Sequence, residues 1–359
     1  MKVCVLTGGG DAPGLNAVLR GFAKRASQLG IEAWGSPNGF EGLVFPDVAL
    51  ERLDAHAVRG ILPRGGSILG CSNKANPFAM PVPGEKGKTR DESAAVVERI
   101  KGLGIDALVL VGGDGTMHYA RRFITLGLPC VGVPKTIDND LGGTDQTFGF
   151  ETAVNTASWA IDTLHSTAEA HERVMILEVM GRNAGWIALS AGLAGGADVI
   201  LIPEIPYDLD RVIAKIKARA EAGSPFTIVV VAEGAFPRGE TTQTVEAEAR
   251  PGQLLRVGGA GERLRRLLEG RIDHETRVTV LGHLQRGGSP SAYDRVLGMR
   301  MGIHAADLCA RSAFGRLVVL RGTTIASVSL DEVPDAPRLV EPDGQLANVA
   351  RAMDVELGA

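Results

Sequence analysis

The chain has 359 residues, 45% of them hydrophobic and 22% charged, a composition that excludes fibrous and intrinsically disordered classes. Its net charge of −4 mixes 38 basic with 42 acidic residues without long like-sign runs, so the electrostatic footprint of a nucleic-acid binder is lacking and any anionic ligand must be held by a local cluster. At roughly 100–200 residues per domain, two domains are expected. No leader-like segment precedes the first strand pattern and no apolar stretch approaches the ~18 residues needed to span a bilayer. The expectation is a cytoplasmic protein without membrane or nucleic-acid partners. Cys4, Cys71, Cys130 and Cys309 are scattered and read as buried free thiols. The 47 glycines fall in clusters, as they do where backbone approaches a ligand.

In chain order, the apolar run Val3–Leu6 leads into Gly8, Gly9 and Gly10. A helical pattern follows, with Leu15, Val18, Leu19, Phe22 and Leu29 on one face. A glycine turn opening a helix N-terminus is an anion cradle. It lacks the spacing of a dinucleotide fingerprint and the lysine of a P-loop, so by itself it reads equally as a tight strand-to-helix turn. Further runs lie at Ala107–Val111, Val131–Val133, Val174–Val179, Val199–Ile202, Thr227–Val231, Arg277–Leu281 and Leu317–Leu320. Such runs suit strands buried on both faces, and their alternation with helical patterns predicts an α/β protein with mostly parallel sheets. Ligands then belong beyond the carboxyl ends of the strands. The polar stretch 238–261 reads as a mobile surface loop.

The second glycine turn, VGGDGT at 111–116, sets Asp114 at the end of an apolar strand. A carboxylate among phosphate-binding amides needs a cation between them, so Asp114 reads as a Mg²⁺ ligand; the alternative is a helix cap. The segment PKTIDNDLGG at 134–143 packs Lys135, Thr136, Asp138 and Asp140 into six residues. It could supply the base, the positioning and the charge neutralisation of phosphoryl transfer, or form an Asx-rich turn. Beyond it, Arg173, Met180, Gly181, Arg182, Glu233, Arg277, His283 and Arg286 follow or flank strand runs. The arginine fork matches phosphate oxygens, although any one of these arginines also reads as a surface ion pair and a lone histidine as a packed one.

Taken in order, GGGDAPGLNA, RGGSILG, GGDGT, PKTIDND, GFETA, EVMGR, AGGAD, PE and LGHLQRGGSPSAYDR resemble the phosphofructokinase family, from Val3 to about Leu320. The resemblance implies two Rossmann-like three-layer domains with the active site in the cleft between them. Residues 1–149 plus about 285–335 would form the larger, donor-binding domain, 150–284 the smaller, fructose 6-phosphate-binding domain, and 336–359 a C-terminal extension. It further implies Asp138 as the base that takes the proton of the sugar 1-hydroxyl, with Thr136, Asp140 and Arg182 assisting and Asp114 holding Mg²⁺. Met180, Gly181, Arg182, Glu233, His283 and Arg286 would form the sugar-phosphate pocket. Arg173 and Arg277 would arrive from a neighbouring subunit of a homo-oligomer, a dimer or tetramer. Gly10, Gly113, Gly115, Thr116 and Lys135 would line the phosphoryl donor, together with Asn73 or Lys74 in place of the usual arginine.

Two positions bear on the donor and place the chain near a mixed ATP/pyrophosphate branch. Pyrophosphate-dependent relatives commonly carry an aspartate where this chain has Gly115, which leaves room for ATP. They also tend to carry the lysine found here at Lys135. The steric reading favours ATP, with pyrophosphate as the alternative. Tyr119 replaces a glycine near the nucleoside and would either stack on adenine or crowd it. An allosteric site is expected to be incomplete, since Arg20 and Asp198 correspond but Ala55 and His165 stand where arginines would be. A kinase for NAD or lipids sharing only GGDGT, or a silent sugar-phosphate-binding subunit, would lack the other motifs or the carboxylates Asp114 and Asp138.

Overall fold

The computed structural model describes residues 1–72, 75–82, 84, 85, 87–242 and 257–359. The chain runs through β1 (Lys2–Thr7), α1 (Leu15–Gln28), β2 (Glu32–Ser36), α2 (Glu41–Val44), β3 (Glu51–Arg52), β4 (Met80–Pro81), β5 (Thr89–Arg90), α3 (Ser93–Gly102), β6 (Ala107–Gly112), α4 (Asp114–Thr125), β7 (Cys130–Thr136) and β8 (Phe148–Gly149). Next come α5 (Phe150–Ala170), β9 (Val174–Val179), α6 (Trp186–Ala194), β10 (Val199–Leu201), α7 (Leu209–Glu221), β11 (Thr227–Ala232), α8 (Ala260–Leu268) and β12 (Thr276–Val280). A 3-10 turn at Gly282–Gln285 then leads to α9 (Ala292–Ala310), β13 (Arg316–Arg321), β14 (Thr324–Ser329) and α10 (Gln345–Ala352).

The strands build two principal sheets, ordered β14-β13-β7-β6-β1-β2-β3 with β8 beside β7, and β10-β11-β9-β12. All pairs in the second sheet are parallel, and in the first only β2–β3 and β13–β14 are antiparallel. Each sheet is covered on both faces, as continuous apolar strands require. Val3, Val5, Val109 and Val111 face α1 and α9, whereas Cys4, Leu6, Leu108 and Leu110 face α3 and α4. In the second sheet Leu177 and Val179 meet α5 and α6, and Val174 and Ile176 meet α7 and α8. The three-layer α/β architecture is therefore present twice. Helices α1 and α9 cross so closely that a Cβ on Gly302 would stand 2.2 Å from the Val18 carbonyl oxygen, so glycine is required there.

Two expectations change, for the strand at Arg277–Leu281 and for Cys71. The strand at Arg277–Leu281 is not buried on both faces: β12 is the free edge of its sheet and its side chains are partly or fully exposed. Strands β2 and β14, short or polar, were not singled out. Of the stretch 238–261, residues 243–256 lie outside the described residues, and its far end enters α8. Cys4, Cys130 and Cys309 are buried free thiols, but Cys71 is only half-buried. Among the described residues no helix is long and apolar enough to cross a membrane.

Candidate active site

The two glycine turns interlock at the carboxyl ends of β1 and β6. Gly8 N–H donates to the Val111 carbonyl at 2.9 Å. A Cβ on Gly8 or Gly112 would lie 2.7 or 2.2 Å from Thr116 Oγ1, so Thr116 occupies the space that side chains would take. Gly113 caps α4, whose first turn is Asp114, Gly115 and Thr116; free N–H groups and the helix dipole there favour an anion. Beside Gly115 the space is open, with no heavy atom within 4 Å of a Cβ placed on it. A cavity of about 390 Å³ opens over the first turn, lined by Gly9, Gly10, Asp11, Gly66, Ser67, Cys71 and Ser72. The RGGSILG segment thus forms its far wall, a role unassigned from sequence. Buried Asn16 holds that wall, donating to the Arg64 carbonyl at 3.0 Å and accepting from Ile68 N–H at 2.8 Å. Asn73 and Lys74 fall outside the described residues.

Strand β7 delivers the acidic cluster. Asp138 N–H donates to Thr136 Oγ1 at 3.0 Å. Asn139, with φ of 53°, turns the chain in the left-handed conformation that asparagine tolerates, and its Oδ1 accepts from Thr147 N–H at 3.0 Å. Asp138 Oδ1 is buried without a hydrogen-bond partner. Burial, then the neighbouring Asp140 carboxylate, pushes the Asp138 carboxyl up to about 6, against Arg286, Lys135 and Arg182. Burial likewise raises Asp140, and burial followed by Asp140 raises Asp114. Lys135 is buried; desolvation and then Arg286 bring it down to about 8. Its ammonium donates to the Gly10 carbonyl.

The second sheet faces this cluster. Arg286, just after β12, reaches across to donate to the Asp11 carbonyl at 3.1 Å, with Nη1 3.4 Å from a Cβ placed on Gly10. Glu233, at the end of β11, accepts from Arg182 N–H at 3.0 Å. Burial and then Asp138 push it up to about 7. Arg182 has a φ of 52°, strain of the kind that collects at functional sites. Buried Gln285 accepts from Met180 N–H at 2.8 Å, and Glu178 accepts from Gly259 and Gly261 N–H at 3.0 and 2.8 Å. Both are supporting residues that lay unremarked inside quoted motifs. His283 lies in the 3-10 turn that Arg286 follows, but it is exposed.

Thus Gly10, Lys135, Asp138, Asp140, Arg182, Glu233 and Arg286 come together, with Asp114 and its glycine turn beside Asp140. Arg173 and Arg277 do not. Arg173 precedes β9, and Arg277 pairs with Met175 near the same end, whereas Met180 follows the opposite end. Six strand residues at about 3.3 Å each separate the ends by ~20 Å. Both arginines engage Glu275 instead, Arg173 at 2.5 Å. Tyr119 is held by Phe40 and Phe78, at ring centroid distances of 5.7 and 5.6 Å. Arg20 and Asp198 are both engaged within the chain. Arg20 donates to the Val58 carbonyl at 2.7 Å, and Asp198 pairs with Arg219 at 2.7 Å.

A profile of the family described as Phosphofructokinase matches residues 2–309. The chain belongs to the phosphofructokinase family. It is 50% identical to a protein of Clostridium perfringens named ATP-dependent 6-phosphofructokinase 2, over 99% of this chain and 97% of that one. A Chloroflexus aurantiacus protein named ATP-dependent 6-phosphofructokinase is also 50% identical, over 99% and 98%. A Streptomyces coelicolor protein named pyrophosphate–fructose 6-phosphate 1-phosphotransferase is 49% identical, over 95% and 97%. Among solved structures, Pichia pastoris phosphofructokinase in the T-state superposes with a TM-score of 0.79 at 30% identity, covering 99% of this chain and 37% of that one.

Proposed function

We propose that this phosphofructokinase transfers the γ-phosphoryl group of ATP to the 1-hydroxyl of fructose 6-phosphate. The observation that carries the reading is the unpartnered buried Asp138 oxygen, set between the donor glycine turns and the Arg182–Glu233–Arg286 face. Asp138 accepts the hydroxyl proton as the sugar oxygen bonds to the γ-phosphorus and the bond to the ADP oxygen breaks. A carboxyl raised to about 6 is ionised at neutral pH yet basic enough for the task. Arg182 and Arg286 bind the sugar phosphate and neutralise charge near the reacting oxygens, while Thr136 and Asp140 fix the loop. Asp114, raised by burial and by the Asp140 charge, is the residue that would hold a divalent cation at the donor turn, where a cation would relieve that repulsion. Bound Mg²⁺ would neutralise the charge of the donor phosphates.

We place the donor site in the domain of 1–149 and about 285–335, and the sugar site in 150–284, each built on one sheet. Arg173 and Arg277, lying ~20 Å along β9 from Met180, suit a homo-oligomer in which they complete a neighbour's sugar-phosphate pocket. Exposed Trp159, Val280 and Leu284, on α5, edge strand β12 and the turn after it, suit the same contact. A glycolytic, cytoplasmic role follows from the reaction.

A second reading, pyrophosphate as donor, is favoured by Lys135, whose ammonium stands in the donor cleft at Gly10. The deciding test is fructose 1,6-bisphosphate formation by purified protein with ATP and pyrophosphate in parallel. Turnover with ATP is expected; turnover with pyrophosphate alone would overturn the donor assignment, and turnover with neither would overturn the function.

A further inference from the structure

The segment that follows β14 lies beyond the residues matched by the family profile, and it crosses directly over the catalytic loop. Its near end is fixed to α4: Arg121 donates to the Leu330 carbonyl at 2.8 Å and also engages the Val333 carbonyl and Asp335. It then lies on residues 140–145, with Pro334 side-chain carbon 3.0 Å from a Cβ placed on Gly142. Arg338 N–H donates to the Asp140 carbonyl at 2.7 Å, and Arg338 Nη1 donates to the Asp145 carbonyl at 2.7 Å. The Arg338 carbonyl accepts from Trp186 Nε1 at 2.9 Å, and its guanidinium lies over the Trp186 ring at 4.5 Å. Two residues on, Val340 N–H donates to Glu204 at 2.8 Å, and the same carboxylate accepts from Gly185 N–H at 2.9 Å.

Asp140 and Asp145 belong to the loop leaving β7 of the first sheet. Gly185 ends, and Trp186 as the first residue of α6 follows, the loop that leaves β9 of the second sheet and carries Met180, Gly181 and Arg182. A single residue, Arg338, uses its backbone N–H, its carbonyl and its guanidinium to bind both. We propose that Arg338 is a positioning residue for phosphoryl transfer, holding the loop of the base Asp138 in register with the loop that binds the sugar phosphate. This rests on the reading of Asp138 and Arg182 given above. In-line transfer demands it, because a misplacement of about 1 Å between base, acceptor and donor costs on the order of 10²-fold in rate. Removing one of several contacts to such a strap should cost less, roughly tenfold. The donor turns at 8–11 and 112–116 are built without Arg338, so donor affinity should not follow.

Three variants test this. Arg338→Ala removes the Asp145 bond and the stacking but keeps the backbone links. Trp186→Phe keeps a ring and removes the Nε1–carbonyl bond. Arg338→Lys keeps a cationic donor. For both the Ala and Phe variants kcat is expected to fall about tenfold with KM for ATP within about twofold of wild type. The double variant should be no slower than the slower single, because both act through one link, and Arg338→Lys should recover part of the rate. Hydrogen exchange should quicken at the amides of 138–147 and 183–187 in both singles. Unchanged kcat, or additive losses with KM for ATP rising in step with a falling Tm, would overturn the proposal. The exchange measurement needs no substrate, so it decides the coupling of the loops even if wild-type protein failed to phosphorylate fructose 6-phosphate, a result that would instead sink the functional reading. Should Arg338→Ala not fold, Trp186→Phe and Arg338→Lys carry the same comparison.

Discussion

Asp138→Asn should abolish most turnover and at the same time stabilise the fold at neutral pH. The carboxyl is raised from 3.8 to about 6 in the folded protein, by burial and then by Asp140. A group whose folded pKa is raised adds stability below its unfolded pKa and loses it as pH climbs to the folded one. Above pH ~6 the ionised form therefore costs the fold about two pK steps, at 1.36 kcal/mol each near 3 kcal/mol. Asp138 as a residue is only partly buried, and screening by solvent trims this to about 1–3 kcal/mol. The amide removes the ionisation, so urea unfolding at pH 7.5 should give a variant more stable than wild type by that amount, with the gap closing toward pH 4. The same substitution removes the base, worth about 10²–10⁴-fold in kcat. In wild type, kcat/KM, which reports the free enzyme, should rise with pH through about 6 and fall roughly tenfold per unit below it. A variant that is less stable than wild type at pH 7.5, or that turns over within tenfold of it, would refute the assignment of a desolvated catalytic carboxylate.

Gly115→Asp should leave stability nearly unchanged, since a Cβ there meets no heavy atom within 4 Å, yet raise KM for ATP about tenfold or more because the new carboxylate meets the donor phosphates; unchanged ATP kinetics would remove the steric assignment. Mixing Asp138→Ala with Arg173→Ala subunits, each inactive alone, should restore activity, since a mixed pair holds one site with both residues intact; no recovery after subunit exchange would refute the shared site. Asp294→Ala should lower stability by about 2–4 kcal/mol, because this buried carboxylate on α9 accepts from Gly149 N–H, Thr152 N–H and Thr152 Oγ1 at 2.8, 2.8 and 2.5 Å. Denaturant unfolding measures that loss, and a change under ~0.5 kcal/mol would show those donors satisfied by water.

The fold was legible where strands are apolar on both faces. Val3–Leu6, Ala107–Val111 and Val174–Val179 suit buried parallel strands, and each is one. Short or polar strands at and next to the sheet's edges escape the same reasoning. In β2, Glu32–Ser36 holds a glycine and no β-branched residue, and its strand form is set by pairing with β1. In β14, Thr324–Ser329 alternates weakly and pairs antiparallel only with β13. Propensity is too faint at such places, and the neighbour decides. Arg277–Leu281 errs the other way: its valines read as interior, and Val278 does pack toward α8, but among the described residues no strand pairs beyond β12 and Val280 is exposed.

The site divides along a similar line. Residues that touch reactants sit in glycine turns and Asx-rich loops just past strands, and that chemistry shows in short spacing: Asp114 among glycines, Asp138 and Asp140 two apart. Residues that hold those loops still carry no such spacing. Glu178 is an ordinary strand residue until Gly259 and Gly261 arrive from 81 and 83 positions away to bond it. Arg338 sits in a polar tail with no pattern at all, yet it binds Asp140 and Trp186. Local spacing encodes reacting groups because a reaction needs several atoms within a few ångströms. Support is encoded only in tertiary contact, where any residue with a suitable donor suffices. The larger uncertainty in a sequence reading of an enzyme therefore falls on rate, through positioning, more than on reaction type.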